Sequence, residues 1–162
     1  MTDTLKSISE QCRQLIAPQL DFLPAAATRH RDIVRRDLDE LLAAASAERS
    51  KSVLLLAGSL LESILFGFLS GQETYITAIR GRAFVFDPNM SLQNYKEIFN
   101  AHFQKAIPGA ALPDIVVLHR DMTHINRELA LPVDICDRAA RELLRILDKL
   151  LSDLTAFTAT DA

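Results

Sequence analysis

Cysteine is scarce in this chain of 162 residues. Features of a secretory signal peptide are missing as well. The two cysteines, Cys12 and Cys136, lie far apart and form no CxxC motif. We therefore predict two buried thiols in a reducing compartment, with no disulfide and no zinc site or other metal or cofactor. The segment from Met1 to Thr4 carries neither the basic charge nor the apolar core of a signal peptide. These absences favour a cytoplasmic protein.

The chain also lacks an excess of positive charge. Its 18 Lys and Arg stand against 21 Asp and Glu, which gives a net charge of -3. No global attraction to nucleic acid or to an anionic membrane is expected, so RNA contact would need a local basic patch. The one basic cluster lies near the start of a predicted helix and comprises Arg29, His30, Arg31, Arg35 and Arg36. It is either a solvated face offset by nearby acidic residues or a track for RNA phosphates.

One long apolar run is present, over residues 53–69, with Glu62 near its middle. The run is slightly short for a membrane span, and a central carboxylate is costly there. We predict instead a central helix buried on nearly all sides, with no membrane contact. Because a lone buried charge is costly, Glu62 is expected to form an ion pair with Arg120, Arg127 or His124.

Helical periodicity covers most of the chain. It predicts helices over about residues 3–17, 24–45, 48–69, 91–107, 113–127 and from 134 onward. Ser46, Ser91 and Asp134 are the expected N-caps. Residues 71–90 lose the pattern and are predicted as an irregular loop or a short hairpin. The predicted fold is all-α, a helical bundle of about five to six helices with one irregular insertion at about 71–90.

The last helix carries a heptad seam of about three repeats. The seam consists of Cys136, Ala140, Leu143, Leu147, Leu150, Leu154 and Phe157. It predicts lengthwise packing on a neighbour, either within the bundle or across a dimer. Together with the apolar central helix it offers more apolar surface than one small bundle needs, so we expect a two-fold dimer. Residues 1–157 read as a single domain and 158–162 as a short polar tail.

One short stretch carries distinctive chemistry, namely Arg120-Asp121-Met122-Thr123-His124. The spacing of four places Arg120 and His124 on one face of a helix, with Arg127 a further turn along. An arginine can grip phosphate oxygens, and a histidine titrates near neutral pH. The pair is therefore a candidate site for work on a phosphodiester. The alternative is a solvated or salt-bridged helix face, which arises easily in any charged helix.

Two segments resemble proteins of the HEPN family (higher eukaryotes and prokaryotes nucleotide-binding). Residues 51–62, KSVLLLAGSLLE, are similar to the family's A-x-x-L-A-G-x-L-L-E helix. Residues 120–128, RDMTHINRE, are similar to its R-N-x-x-H-P-x-R-E element. The order of helices matches as well, over about residues 47–154. Asp121 and Ile125 stand where the family most often has Asn and Pro.

The resemblance implies a homodimer in which Arg120 and His124 of both subunits line one cleft and cleave RNA without a metal. Asp121, Arg127 and Glu62 would support this pair. The implied partners are RNA or a nucleotide, and an antitoxin or another protein of a toxin–antitoxin, defence or RNA-processing system. Other members of the family bind nucleotides or are inactive scaffolds. The alternative function is therefore a non-catalytic dimeric helical interaction module, which Asp121 and the net acidity favour.

Overall fold

The computed structural model describes residues 3–24, 27–107, 111–114, 116 and 133–160. Among these residues there are helices and no strands, which confirms the predicted all-α fold. The described helices are α1 (Leu5–Gln11), α2 (Arg13–Ile16), α3 (Thr28–Ser46), α4 (Ser50–Ser70), α5 (Glu73–Arg80), α6 (Leu92–Phe103) and α7 (Val133–Thr160).

Helix α4 is the centre of the bundle, and α3, α6 and α7 all pack on it. Val53, Leu60 and Phe68 are fully buried along its length. The helix is long and apolar enough to cross a membrane, with a mean hydropathy of 2.0, but 61% of this stretch lies buried inside the chain. That burial is what the core helix of a globular protein shows. One face of α4 is open to solvent, because Leu55 is 50% exposed and Ser59 is exposed. The helix is therefore less completely buried than predicted.

The heptad seam of α7 lies against the rest of the same chain. Most of its members are buried, and Cys136 is half-buried. Because α7 packs along α4, α1 and α2, the seam forms part of the bundle core. Each fully buried leucine contributes about 1.5–3 kcal/mol. Asp134, predicted as the N-cap, lies within α7, and the helix continues to Thr160, beyond the predicted start of the tail.

A cluster of aromatic rings ties α5 into the core. The rings of Phe68 and Phe103 lie 4.9 Å apart, and Tyr75 stacks on Phe103 at 5.1 Å. Such ring pairs add to the free energy gained from apolar burial. The prediction of a loop or hairpin throughout 71–90 was therefore wrong for residues 73–80, which are helical. Gly81 ends this helix with a left-handed φ of 64°, and the chain from there to residue 90 is irregular.

The predicted first helix is broken at Cys12 into α1 and α2. The carboxylate of Asp148 on α7 accepts hydrogen bonds from the backbone N–H groups of Gln14 (2.7 Å) and Leu15 (3.2 Å). These bonds satisfy N–H groups in the first turn of α2, as an N-cap would. Burial and the charge of Asp148 raise the pKa of the Cys12 thiol to about 11. Cys12 is thus a buried, unreactive thiol, as predicted, whereas Cys136 is only half-buried.

Of the two N-caps predicted for the middle helices, one is confirmed and one is wrong. Ser91 caps α6, because its hydroxyl accepts a hydrogen bond from the N–H of Asn94 at 3.3 Å. Ser46 is the last residue of α3, so it does not cap the following helix. Arg49 occupies the N-cap position of α4 and makes no side-chain capping bond.

Candidate functional site

The Arg120–Glu128 element lies outside the described residues, and with it Arg120, Asp121, His124 and Arg127. The chain that leads toward this element is described over 111–114 and at 116. The Asn100 side chain of α6 donates to the carbonyl of Leu112 and accepts from its N–H, both at 2.9 Å. This pair of bonds fixes the backbone at Leu112 to α6.

A second contact holds the same segment to α6. The Lys96 ammonium, whose side chain is 3% exposed, bonds the exposed carboxylate of Asp114. This hydrogen bond, together with the positive charge, lowers the pKa of the Asp114 carboxyl below its ordinary value. Helix α6 therefore fixes the position of residues 112–114, which precede the Arg/His element in the chain.

An open cleft of about 730 Å³ lies between the start of α3, the middle of α4 and the segment from Pro88 to Tyr95. Its size is within the range of about 300–1,000 Å³ that small-molecule sites occupy. The residues that carry its polar and aromatic chemistry are Arg29, His30, Glu62, Ser63, Phe66 and Tyr95. We call it the α3–α4 cleft.

The imidazole of His30 is held on one wall of this cleft. Its Nε2 lies 2.8 Å from the Ser63 hydroxyl oxygen, and its ring centre lies 5.7 Å from that of Phe66. The ring also lies close to the backbone of α4 at Gly67, where an added Cβ would be 2.7 Å from His30 Cε1. A glycine is thus required for this arrangement.

Glu62 lines the cleft and is half-buried. Burial raises the pKa of the Tyr95 phenol, and the negative charge of Glu62 raises it further. The two side chains therefore lie near each other. The Tyr95 hydroxyl donates to the carbonyl of Pro88 at 3.1 Å. The partners predicted for Glu62 lie outside the described residues. In the described structure it is a polar group on the wall of the cleft.

The basic cluster of α3 is divided among separate environments. Arg29 is exposed and lines the cleft, and Arg35 is exposed on the same helix. Arg31 donates to the carbonyl of Leu23 at 2.6 Å, and Arg36 forms a salt bridge with Asp37 at 2.6 Å.

The cleft was not predicted as a unit from the sequence. Its central contact joins His30 and Ser63, which are 33 residues apart on two helices. The signal that could have indicated it is Gly67, a glycine inside an apolar helix with no turn to explain it. Sequence reasoning placed His30 in a basic cluster and Glu62 in a buried ion pair, and did not bring them together.

No protein-family model matches this chain, and neither a curated protein nor a solved structure is significantly similar to it. The chemistry of its own residues must therefore indicate its function. Among the described residues no group of three or more His, Cys, Asp or Glu side chains could hold a metal ion. Ser63 lies inside α4, where the backbone N–H groups bond within the helix, so the backbone around Ser63 offers no donor to an oxyanion. This pair suits ligand binding better than acyl transfer.

Proposed function

We propose that this protein is a HEPN-like helical domain that acts as a homodimeric, metal-independent endoribonuclease. The proposal is carried by the Arg120–Glu128 sequence element and its place in the chain, after α6 and before the long terminal helix. The apolar helix α4, with Glu62, precedes both, in the order expected for the family. The same resemblance favours a role in a toxin–antitoxin, defence or RNA-processing system, with a protein partner.

The proposed reaction is attack of an RNA 2'-hydroxyl on the adjacent phosphorus, with departure of the 5'-oxygen. The attacking hydroxyl needs a base, the leaving oxygen needs an acid, and the phosphorane needs cations. His124 from each of two subunits would divide the acid and base roles. Arg120 from each subunit would hold the phosphate oxygens through bidentate hydrogen bonds. Asp121 would reduce the positive charge next to Arg120.

An RNA cleavage assay in the presence of chelator tests this function. We expect single-stranded RNA to be cut into products that end in a 2',3'-cyclic phosphate, because the 2'-hydroxyl is the nucleophile. His124→Ala should lower the rate by at least ~10²-fold, the usual scale for loss of an acid or base. His119→Ala, a nearby histidine outside the pair, serves as the matched control and should retain the rate.

Asp121→Asn restores the residue that the family most often has and removes a negative charge near the phosphate. The variant should keep or raise the rate of cleavage. The absence of cleavage by pure protein, with and without Asp121→Asn, would contradict the ribonuclease proposal. Equal loss in His119→Ala and His124→Ala would contradict the assigned role of His124.

The second candidate function is a non-catalytic dimeric interaction module. The observation that favours it is the open face of α4, where Leu55 is 50% exposed beside half-buried Leu56 and exposed Ser59. We call these three residues the α4 strip. Adjacent apolar side chains at the surface are typical of protein contacts. Proximity of Asp121 to Arg120 favours the same function, since the carboxylate would weaken phosphate binding.

A further inference from the structure

Residues 83–87 run along α5 as an extended segment, with no helix, turn or bend within them. The N–H of Phe84 donates to Thr77 Oγ1 at 3.0 Å, and that of Phe86 donates to Glu73 Oε1 at 2.6 Å. Thr77 and Glu73 are one turn apart on α5, about 6 Å, which is close to the rise of two residues in a strand. Side chains of α5 thus hold one edge of this segment.

The opposite edge of the segment is open. Because the backbone groups of successive residues alternate between the two edges of an extended chain, the N–H and C=O groups of Ala83, Val85 and Asp87 point away from α5. None of these groups forms a hydrogen bond with another described residue. All three residues are exposed, Val85 to 80%. We call the backbone groups of these three residues the open edge.

The inner face of the segment is packed, which fixes its orientation. The ring of Phe86 stacks on that of Tyr95 at 5.7 Å and contacts Phe66 edge-on at 5.4 Å. The Arg80 guanidinium lies 4.9 Å from the centre of the Phe84 ring. With Phe84 and Phe86 held against the core, the segment keeps its open edge toward solvent. An unpaired edge of this kind is a template for another strand.

We propose that the open edge binds an extended segment of a partner protein, which pairs with residues 83–87 as a second strand. Donors and acceptors that alternate at the repeat of a peptide backbone are matched by another peptide backbone, whereas a phosphate chain offers acceptors only. Strand addition obtains its affinity from such main-chain hydrogen bonds. Because α5 already holds the segment extended, little entropy is lost on binding. The proposal is independent of RNA cleavage, since it uses only the groups of residues 82–87.

The side chains beside the open edge specify which segment fits. A β-branched residue opposite the exposed Val85 forms a favourable cross-strand pair. Arg82 is exposed at the start of the segment, and its guanidinium forms no salt bridge among the described residues. Asp87 at the other end would repel a second carboxylate. The partner segment is therefore rich in β-branched residues and carries a carboxylate at the end that lies beside Arg82.

NMR titration of the full chain with a synthetic peptide, Thr-Val-Thr-Val-Asp with blocked ends, tests the proposal. Antiparallel pairing, the commoner arrangement, places the last residue of this peptide beside Arg82. We expect saturable shifts of the amide signals of Ala83, Val85 and Asp87, with a dissociation constant of ~1 mM or below, the scale of a few backbone hydrogen bonds. The absence of these shifts at ~5 mM peptide would overturn the proposal.

N-methylation of the peptide tests whether its backbone is what the protein recognises. Methyl groups on its first, third and fifth nitrogens remove the donors of one peptide edge, and methyl groups on the second and fourth remove those of the other. One of these two peptides should bind ~10-fold or more weakly than the parent, and the other should retain its affinity. Equal affinity of the two methylated peptides would overturn strand pairing.

Val85→Pro removes a donor from the open edge. The substitution should not disturb the fold, because this N–H bonds no described residue and proline is compatible with an extended chain. It should weaken peptide binding by ~10-fold or more. Val85→Thr keeps the donor and a branched side chain, so it is the matched control and should bind as wild type does. Unchanged affinity in folded Val85→Pro, or equal loss in both variants, would overturn the assignment. If Val85→Pro does not fold, the methylated peptides decide with wild-type protein.

A charge exchange tests the role of Arg82. Arg82→Glu should weaken binding of the peptide that ends in Asp by ~3-fold, the scale of an exposed ion pair, and should bind a peptide ending in Lys more tightly than wild type does. Arg13→Glu, a change at an exposed arginine of α2, should alter neither affinity. If Arg82→Glu does not exchange the preference, Arg82 does not select the partner.

The same spectra recorded without peptide test the identity of the occupant. Shifts of the Ala83, Val85 and Asp87 amides that depend on protein concentration would show that a second copy of this chain occupies the open edge. That result would overturn the assignment to a partner protein. Signals that stay constant from ~20 μM to ~1 mM protein, together with saturable peptide binding, support it.

Discussion

At the scale of single residues, Gly67 lets two side chains lie close against α4. A Cβ at this position would be 2.4 Å from Leu23 Cδ2 and 2.7 Å from His30 Cε1. Alanine ordinarily stabilises a helix interior over glycine by about 1 kcal/mol, whereas overpacking a core costs about 1–3 kcal/mol. We therefore expect Gly67→Ala to lower the free energy of unfolding by about 1 kcal/mol, as measured by urea denaturation.

Ser59→Ala is the control for this substitution, because Ser59 is exposed on the same helix and an alanine there creates no clash with the core. It should leave the free energy of unfolding unchanged or slightly raised. A Gly67→Ala protein that is as stable as wild type would show that His30 and Leu23 move aside at no cost.

The residues of the cleft show how far a sequence can predict a site. Glu62 was singled out because a carboxylate in an apolar run is costly to bury, and this physical reason is visible in the sequence. The pairing of His30 with Ser63 was not visible, because it depends on how α3 crosses α4. Helical periodicity indicates which face of each helix is apolar, but it does not give the register of one helix against another.

At the scale of elements, one hydrogen bond joins α5 to α6 and makes their contact sensitive to pH. The Nε2 of His102 accepts a bond from Arg80 Nε at 2.9 Å, so this imidazole is neutral. Burial, and then the charge of Arg80, lowers the pKa of His102 below its ordinary value of 6.5. The unfolded chain therefore binds the proton first as pH falls. The stability contributed by His102 is complete above pH 6.5 and is lost as pH falls toward the folded pKa.

Thermal melts between pH 7.5 and 5 measure this effect. The melting temperature of wild-type protein should fall with pH more steeply than that of His102→Gln, which keeps an acceptor but does not titrate. Arg80→Ala should also flatten the dependence, since it removes the neighbouring cation. The same slope in His102→Gln and wild type would contradict this role for His102. The NMR titration of His102 should have a midpoint below pH 6.5.

Helices with a long periodic pattern were predicted well. Helices whose presence or bounds depend on contacts with other parts of the chain were predicted poorly. The spans of α4 and α7 follow from more than five turns of periodicity each. Helix α5 has eight residues, and its β-branched and aromatic content resembles a strand. It is helical in the structure because Tyr75 packs on Phe103. The break at Cys12 depends likewise on Asp148, which lies far away in the sequence.

At the scale of the whole molecule, the surfaces first expected to drive dimerisation are used within the chain. The seam of α7 packs against α4, and both contribute to one continuous core. A homodimer must therefore use another surface, and the α4 strip offers one, in which the Leu55 side chain is 50% exposed. Two-fold symmetry would bring the strip of each protomer against its counterpart, because such an interface pairs the same surface on both subunits.

Sedimentation equilibrium at micromolar concentration should therefore detect a species of twice the 18.0 kDa chain mass. Leu55→Arg should convert it to monomer, since a charge would be buried opposite its own symmetry mate. Val85→Arg is the matched control, because Val85 is an exposed apolar residue (80%) away from the α4 strip. Its neighbour Phe86 contacts Phe66, which lies nearer the C-terminal end of α4 than the strip does. The assembly of this variant should remain that of wild type. If wild-type protein sediments only as a single chain, the proposed dimer is contradicted. The composite Arg120/His124 site, which needs two subunits, is then contradicted as well.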